Sequence, residues 1–121
     1  MRWLLHGNMT KAVGEAMVRH GHQVKDLMAV GLAQGASAEE VLKSAREAQL
    51  DLFTNDATLV EAIYEQGVAF SRSIVFLQLA GGEVEQDDAV DRFFARYPRP
   101  GAKRLYTINQ TRVKVRQLPG K

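Results

Sequence analysis

The sequence contains no cysteine, only 3 prolines in 121 residues, and no long apolar run. Without thiols, a disulfide framework, a thiolate zinc site and an iron–sulfur cluster are excluded, and a reducing compartment is compatible. No apolar run approaches the roughly 20 residues that span a bilayer. The first apolar run is only three residues long, which is too short for a signal peptide, so none is expected. These absences predict a cytoplasmic protein with no membrane partner.

The composition that remains is typical of one globular domain, with 45% hydrophobic and 25% charged residues. A chain of this length can bury roughly two thirds of its unfolded surface, which is enough for a core. No linker, internal repeat or low-complexity segment interrupts it. We therefore expect a single domain over residues 1–121, with an α/β core over 1–100 and a basic C-terminal hairpin over 101–121.

The formal net charge of +2 is unevenly distributed along the chain. All charged residues within 83–91 are acidic, and all charged residues within 99–121 are basic. The acids are Glu83, Glu85, Asp87, Asp88 and Asp91, and the bases are Arg99, Lys103, Arg104, Arg112, Lys114, Arg116 and Lys121. A charge asymmetry of this kind marks either a nucleic-acid surface or a solvated pair of strands, and both interpretations stay open.

Short apolar runs alternate with helical patterns along the chain. The runs at 2–6, 23–27, 50–54 and 73–79 predict strands, and the patterns at 10–20, 37–48, 57–66 and 87–97 predict helices. This alternation predicts a three-layer α/β fold with a mainly parallel sheet. Residues 104–108 and 112–116 predict a β-hairpin, whose second arm alternates valine with arginine or lysine and so has one apolar and one basic face.

Polar residues follow two of the predicted strands at the point where each strand ends. His6, Gly7 and Asn8 follow the first strand, and 54–56 follow the third. In a parallel sheet, sites gather at the carboxyl ends of the strands. Asp56, with Glu39 and Glu40 from the start of the helix before the third strand, would offer the oxygen ligands that Mg²⁺ or Mn²⁺ prefers. Such an ion could polarise a phosphodiester and generate hydroxide.

Three of these side chains also have structural interpretations. Asp56 can cap the helix that begins at Ala57, and Glu40 can complete a capping box with Ser37. His6 can be a hydrogen-bonded structural histidine. The glycines at 31 and 35 lack the Lys-Ser/Thr ending of a phosphate loop, and no serine lies in a nucleophile-elbow pattern.

Several segments resemble, in the same order, the motifs of the bacterial PIN-like domain family, described as nucleases of toxin–antitoxin systems. Residues 4–9 correspond to its Leu-Leu-Asp-Glu-Asn-Leu motif, and 19–22 to its Arg-Gly-His ending. Residues 35–42 resemble Gly-Ala-Ser-Asp-Glu-Glu-Ile-Leu, and 52–59 resemble Leu-Val-Thr-Asn-Asp-x-Asp-Phe. Residues 111–119 are similar to the terminal Arg-Val-Arg-x-Arg-x-Leu-Pro. The likeness covers nearly the whole chain.

This resemblance implies a PIN-like fold with an acidic cluster that holds Mg²⁺ or Mn²⁺ for RNA cleavage. Asp56, Glu39 and Glu40 match family acids, whereas three other acidic positions are His6, Ala38 and Thr58, and the glutamate of the first motif is Gly7. Losing carboxylates weakens a Mg²⁺ site, and histidine favours a softer ion such as Mn²⁺ or Zn²⁺.

Two functional hypotheses follow. The first is a metal-dependent ribonuclease of PIN-like type, with reduced or lost activity, in a toxin–antitoxin system. Its predicted catalytic residues are Asp56, Glu40 and His6; its metal ligands are Asp56, Glu40, Glu39 and His6; its RNA contacts are Asn8, Thr54, Asn55, Arg112, Lys114 and Arg116. The second is a catalytically inactive PIN-like domain that binds RNA, an antitoxin-like protein or a second copy of itself as a homodimer.

Overall fold

Strands and helices alternate along the computed structural model, which describes residues 1–79 and 82–119. The strands are β1 (Arg2–His6), β2 (Gln23–Lys25), β3 (Asp51–Thr54), β4 (Ile74–Leu77), β5 (Arg104–Ile108) and β6 (Val113–Gln117). The helices are α1 (Lys11–Arg19), α2 (Ala38–Ala48), α3 (Ala57–Tyr64) and α4 (Glu83–Arg96), with a short 3-10 turn over Met28–Val30. Lys121, the last of the predicted basic residues, lies outside the described residues.

The described strands form one six-stranded sheet in the order β2-β1-β3-β4-β5-β6. The first five are parallel, and β6 runs antiparallel to β5 as the second arm of a hairpin. The predicted α/β fold with a mainly parallel sheet is therefore confirmed. Because β5 pairs with β4 along its length, the hairpin continues the central sheet.

Apolar side chains project from both faces of the sheet, and a layer of helices packs on each face. Leu4, Leu52, Ile74 and Leu105 pack with α2 and α3 on one face. On the other face, Trp3, Phe53, Val75 and Tyr106 pack with α1 and α4. Alternate residues of each strand thus supply the two cores, as the pleat of a strand requires, and the molecule has three layers.

The crossover through α4 lies on the opposite face from those through α2 and α3. All three connections move along the sheet in the same direction between parallel strands. The crossover through α4 therefore has the opposite hand to the crossovers through α2 and α3. This is unusual, because nearly all connections between parallel strands of one sheet share one hand. Helix α4 consequently packs beside α1, where both the N–H and the hydroxyl of Thr10 donate to Gln86 Oε1 at 2.9 Å. Thr10 is the N-cap residue of α1, but its side chain makes no capping hydrogen bond and is oriented toward Gln86 instead.

The boundaries of several elements differ from those predicted. Helix α4 begins four residues early, because Glu85 Oε1 accepts the Gly82 N–H at 3.1 Å and so satisfies an amide before the first turn. β2 ends at Lys25, before Asp26, and the predicted loop that follows it contains the 3-10 turn. None of the helices in the described ranges is both long and apolar enough to cross a membrane.

Candidate functional site

A cleft of about 610 Å³ opens at the carboxyl ends of β1, β2 and β3. The chain leaves β1 toward β2 on one side and reaches β3 on the other, so the cleft lies where the strand order reverses. Such switch points are the usual ligand sites of open parallel sheets. The polar side chains that line it are His6, Asn8, Thr10, Asp26, Gln34, Asn55 and Asp56.

The two loops that form the centre of the cleft are in close contact. The Asn8 N–H donates to Asn55 Oδ1 at 2.9 Å. Gly7 has φ of +108°, and a Cβ there would lie 2.1 Å from the same oxygen. Only glycine tolerates both the backbone conformation and this approach. Gly7 therefore allows a tight contact between the ends of β1 and β3.

His6 is held at the end of β1 by a residue of β3. Its Nδ1 lies 2.9 Å from Thr54 Oγ1, which also accepts the Asp56 N–H at 3.0 Å. Burial lowers the pKa of His6, and the charge of Asp56 opposes that shift in part. Burial thus favours the neutral ring, and Nε2 is the nitrogen that Thr54 does not engage. The hydrogen bond expected of a structural histidine is present, and the ring also lines the cleft.

Asp56 is the N-cap of α3 and also lines the cleft. Its Oδ1 accepts from the Thr58 N–H at 2.9 Å and from the Thr58 hydroxyl at 2.8 Å. The backbone hydrogen bond from Thr58 is the largest cause that lowers the pKa of Asp56, so the carboxylate is charged at pH 7. The bonds in the described structure use Oδ1, which leaves Oδ2 for another partner.

Glu39 and Glu40 are exposed and do not belong to the cleft lining. Glu40 forms the predicted capping box, since Glu40 Oε1 accepts the Ser37 N–H at 3.0 Å and Ser37 Oγ accepts the Glu40 N–H at 3.1 Å. The backbone bond from Ser37 lowers the pKa of Glu40. The structure thus gives Glu40 a role at the start of α2 and does not place it beside Asp56 in the cleft.

The predicted RNA contacts fall into two groups. Asn8 and Asn55 line the cleft, and Thr54 is buried beside His6 on the adjacent strand. The basic side chains belong to or precede β6, and β4 and β5 separate that strand from β3. The basic residues are Arg112, Lys114 and Arg116. They are exposed, but they lie at the far edge of the sheet from the cleft.

Asp26 also lines the cleft, although the sequence pattern did not predict it there. The predicted second strand ran to Leu27, so this carboxylate was assigned to the strand instead of its end. Its Oδ1 accepts the Ala29 N–H at 2.9 Å and thereby stabilises the 3-10 turn. The rule that placed Asp56 at the site, polar residues after a parallel strand, would have found Asp26 with the correct boundary.

The cleft lining includes two carboxylates and several side-chain amides, whose oxygens are the kind of ligand that hard cations prefer. In the described part of the chain, no three His, Asp or Glu side chains converge to form a metal cage. Mg²⁺ commonly binds through one or two carboxylates together with water and substrate phosphates. Asp26, Asp56 and the amide oxygens beside them fit that kind of shared site. The predicted four-residue set of His6, Glu39, Glu40 and Asp56 is not brought together.

In comparisons with known proteins, no family model matches the chain, and no curated sequence or solved structure matches it either.

Proposed function

We propose that this chain is a PIN-like ribonuclease of the cytoplasm whose divalent cation binds together with the RNA phosphate. The observation that supports this best is the charge of the cleft. Its described lining includes the carboxylates of Asp26 and Asp56, a neutral histidine, and no lysine or arginine. The resemblance to PIN-like nucleases points to the same reaction and to an antitoxin-like partner.

A polyanion does not enter such a cleft unaided. Two carboxylates repel a phosphodiester, and at a few ångströms the repulsion in a partly desolvated site amounts to about 4 kcal/mol per pair. A divalent cation between carboxylate and phosphate replaces both repulsions by attractions. When bound, Mg²⁺ or Mn²⁺ would offset the phosphate charge and lower the pKa of its bound water. Asp56 would hold it through Oδ2, with Asp26 and amide oxygens at the rim.

The remaining cleft residues would position the phosphate and handle a proton. Thr54 fixes the ring of His6, so that Nε2 is the nitrogen available to the substrate. Because burial favours the neutral ring, Nε2 of His6 can accept a proton, and the ring adds no permanent positive charge to the cleft. Asn8 and Asn55 offer neutral amide groups for sugar or phosphate oxygens.

The test is cleavage of a labelled single-stranded RNA with Mg²⁺, with Mn²⁺ and with chelator. Asp56→Asn is the informative variant, since asparagine also caps helices but lacks the charge. We expect cation-dependent cleavage that falls about 10- to 100-fold in Asp56→Asn, the usual cost of disturbing a metal site. Asp88→Asn, an exposed carboxylate on α4, is the matched control and should retain activity. Equal rates for the native chain and Asp56→Asn would contradict the proposal.

A second candidate function is RNA binding without cleavage. The specific observation that favours it is the replacement of three family acids by His6, Ala38 and Thr58, with Gly7 in the place of the glutamate. In that case a labelled RNA should bind more tightly with Mg²⁺ than with chelator and should remain intact. Its affinity should fall as monovalent salt rises. Binding that needs neither the cation nor Asp56 would exclude the cleft as the site.

A further inference from the structure

Strand β6 has an open edge that no strand in residues 1–79 or 82–119 covers. Its side chains alternate between two faces. Lys114 and Arg116 lie on the face of α2 and α3, and both are exposed. Val113 and Val115 lie on the face of α1 and α4, where Val113 packs on the core and Val115 is 44% exposed.

The backbone of β6 offers hydrogen-bonding groups along this edge. Two bonds define which residues turn toward β5: Asn109 N–H donates to the Arg112 C=O at 3.1 Å, and Leu118 N–H donates to the Lys103 C=O at 2.9 Å. Since bonded and non-bonded pairs alternate along an antiparallel ladder, residues 112, 114, 116 and 118 face β5. The N–H and C=O groups of Val113 and Val115 therefore point outward.

The basic face of this edge is held in place by α3. The guanidinium of Arg116 lies 4.2 Å from the centre of the Tyr64 ring, a cation–π distance. The Tyr64 hydroxyl donates to the Gln117 C=O at 2.8 Å. The edge is thus preorganised, and the Tyr64 ring face is covered by Arg116. Single-stranded RNA binding relies on uncovered aromatic faces, which this surface does not offer at Tyr64.

We propose that β6 is a docking edge that accepts an extended acidic segment of a partner protein as an added strand. Backbone groups of Val113 and Val115 pair with the segment. Its acidic side chains lie beside Lys114 and Arg116, and its apolar side chains lie beside Val115. A second copy of the chain is a poorer occupant, because pairing two β6 strands brings like charges into neighbouring positions. This binding is independent of the cleft and of RNA cleavage.

The test uses the full chain and a labelled, end-capped peptide that alternates glutamate and valine. Binding is measured by fluorescence anisotropy, and amide hydrogen exchange is followed by NMR with and without peptide. We expect the amides of Val113 and Val115 to exchange about tenfold more slowly in the complex, because they gain hydrogen bonds. The amides of Lys114 and Arg116 already bond to β5 and should change little. A peptide that alternates lysine and valine should not bind.

Two variants separate the backbone contribution from the charge contribution. Val115→Pro removes one outward N–H and leaves every β5–β6 bond intact, and we expect about fivefold to tenfold weaker binding. Lys114→Glu should weaken binding of the acidic peptide by about tenfold and improve binding of the lysine peptide. Lys43→Glu, an exposed change of equal charge on α2, should stay within about twofold of the native affinity.

Several outcomes would overturn the proposal. These are no binding at millimolar peptide, binding without slower exchange at Val113 and Val115, or equal affinity for the native chain and Lys114→Glu. Concentration-dependent dimerisation that Val115→Pro abolishes would make a second copy the occupant instead. A uridine oligomer whose binding depends on Lys114 while the peptide does not bind would make β6 an RNA contact.

Discussion

At the scale of single residues, His22 is the titratable group most changed by the fold. It is buried, and its Nδ1 accepts the Trp3 Nε1–H at 3.1 Å. Burial, and after it the positive charges of the N-terminus, His20 and Arg99, lower the pKa of His22 to about 4. The Pro98 carbonyl opposes this shift, but it makes no proper hydrogen bond with Nε2, which is buried without a partner among the described residues.

This lowered pKa predicts that the protein loses stability as the pH falls below neutrality. Above an unfolded pKa of 6.5, neither state protonates His22; between 6.5 and about 4, only the unfolded state binds the proton. The free energy of unfolding should therefore be about 2 kcal/mol lower at about pH 5 than at pH 7.5 through this residue. Urea unfolding of the native chain, of His22→Gln and of the half-buried His20→Gln measures the effect.

We expect His20→Gln to retain this pH dependence and His22→Gln to lose most of it. An NMR titration of the native chain checks the cause directly, because the ring signals of His22 should not shift until the pH approaches 4. A ring that titrates near 6.5 in the folded protein would contradict the assignment. Trp3 is the only tryptophan of the chain, so its indole N–H signal reports the same event.

At the scale of elements, variants at the start of α2 can distinguish a structural role of Glu40 from a catalytic one. Ser37→Ala removes the bond to the Glu40 N–H, and we expect a loss of about 1 kcal/mol. In a chain of this size, that lowers the melting temperature by about 3–6 °C. Glu40→Ala should destabilise the helix similarly, whereas Glu40→Gln keeps the capping box. Thermal melting and RNA cleavage are measured on the same three variants.

If Glu40 serves only the helix, Glu40→Gln should match the native chain in both melting temperature and cleavage rate. A Glu40→Gln protein that melts normally but cleaves about tenfold more slowly would instead support Glu40 as a ligand of the metal. Lys43→Gln, one turn further along the exposed side of α2, controls for a change of surface charge.

The elements that could be predicted from the sequence are those with a local cause. The capping box of α2 and the cap of α3 depend on residues within three positions, and both are confirmed. The polar ends of β1 and β3 meet as expected because adjacent parallel strands share an edge. The contact of Thr10 with Gln86 and that of Arg116 with Tyr64 join residues 76 and 52 positions apart. No local pattern predicts which distant partner such side chains meet.

At the scale of the whole molecule, the strand order alone does not determine on which face of the sheet α4 packs. An alternating pattern predicts helices on both faces, but the common hand of crossovers would place α4 beside α3. Its aromatic residues explain the observed position. Phe93 and Phe94 pack edge-on against Tyr106 and Trp3, at ring-centre distances of 5.5 and 5.8 Å. An aromatic core on the α1 face therefore outweighs the usual preference.

Because both layers pack on opposite faces of one sheet and share β1, β3, β4 and β5, we expect the molecule to unfold as one cooperative unit. Phe94→Ala on the α1 and α4 face should cost about 3–5 kcal/mol, and Leu42→Ala on the α2 and α3 face about 2–5 kcal/mol. Both residues are at most 1% exposed, so the two variants are well matched in burial. Differential scanning calorimetry should show one transition, shifted downward in each variant, with calorimetric and van't Hoff enthalpies that agree. Two transitions, of which each variant shifts only one, would show that the layers unfold separately.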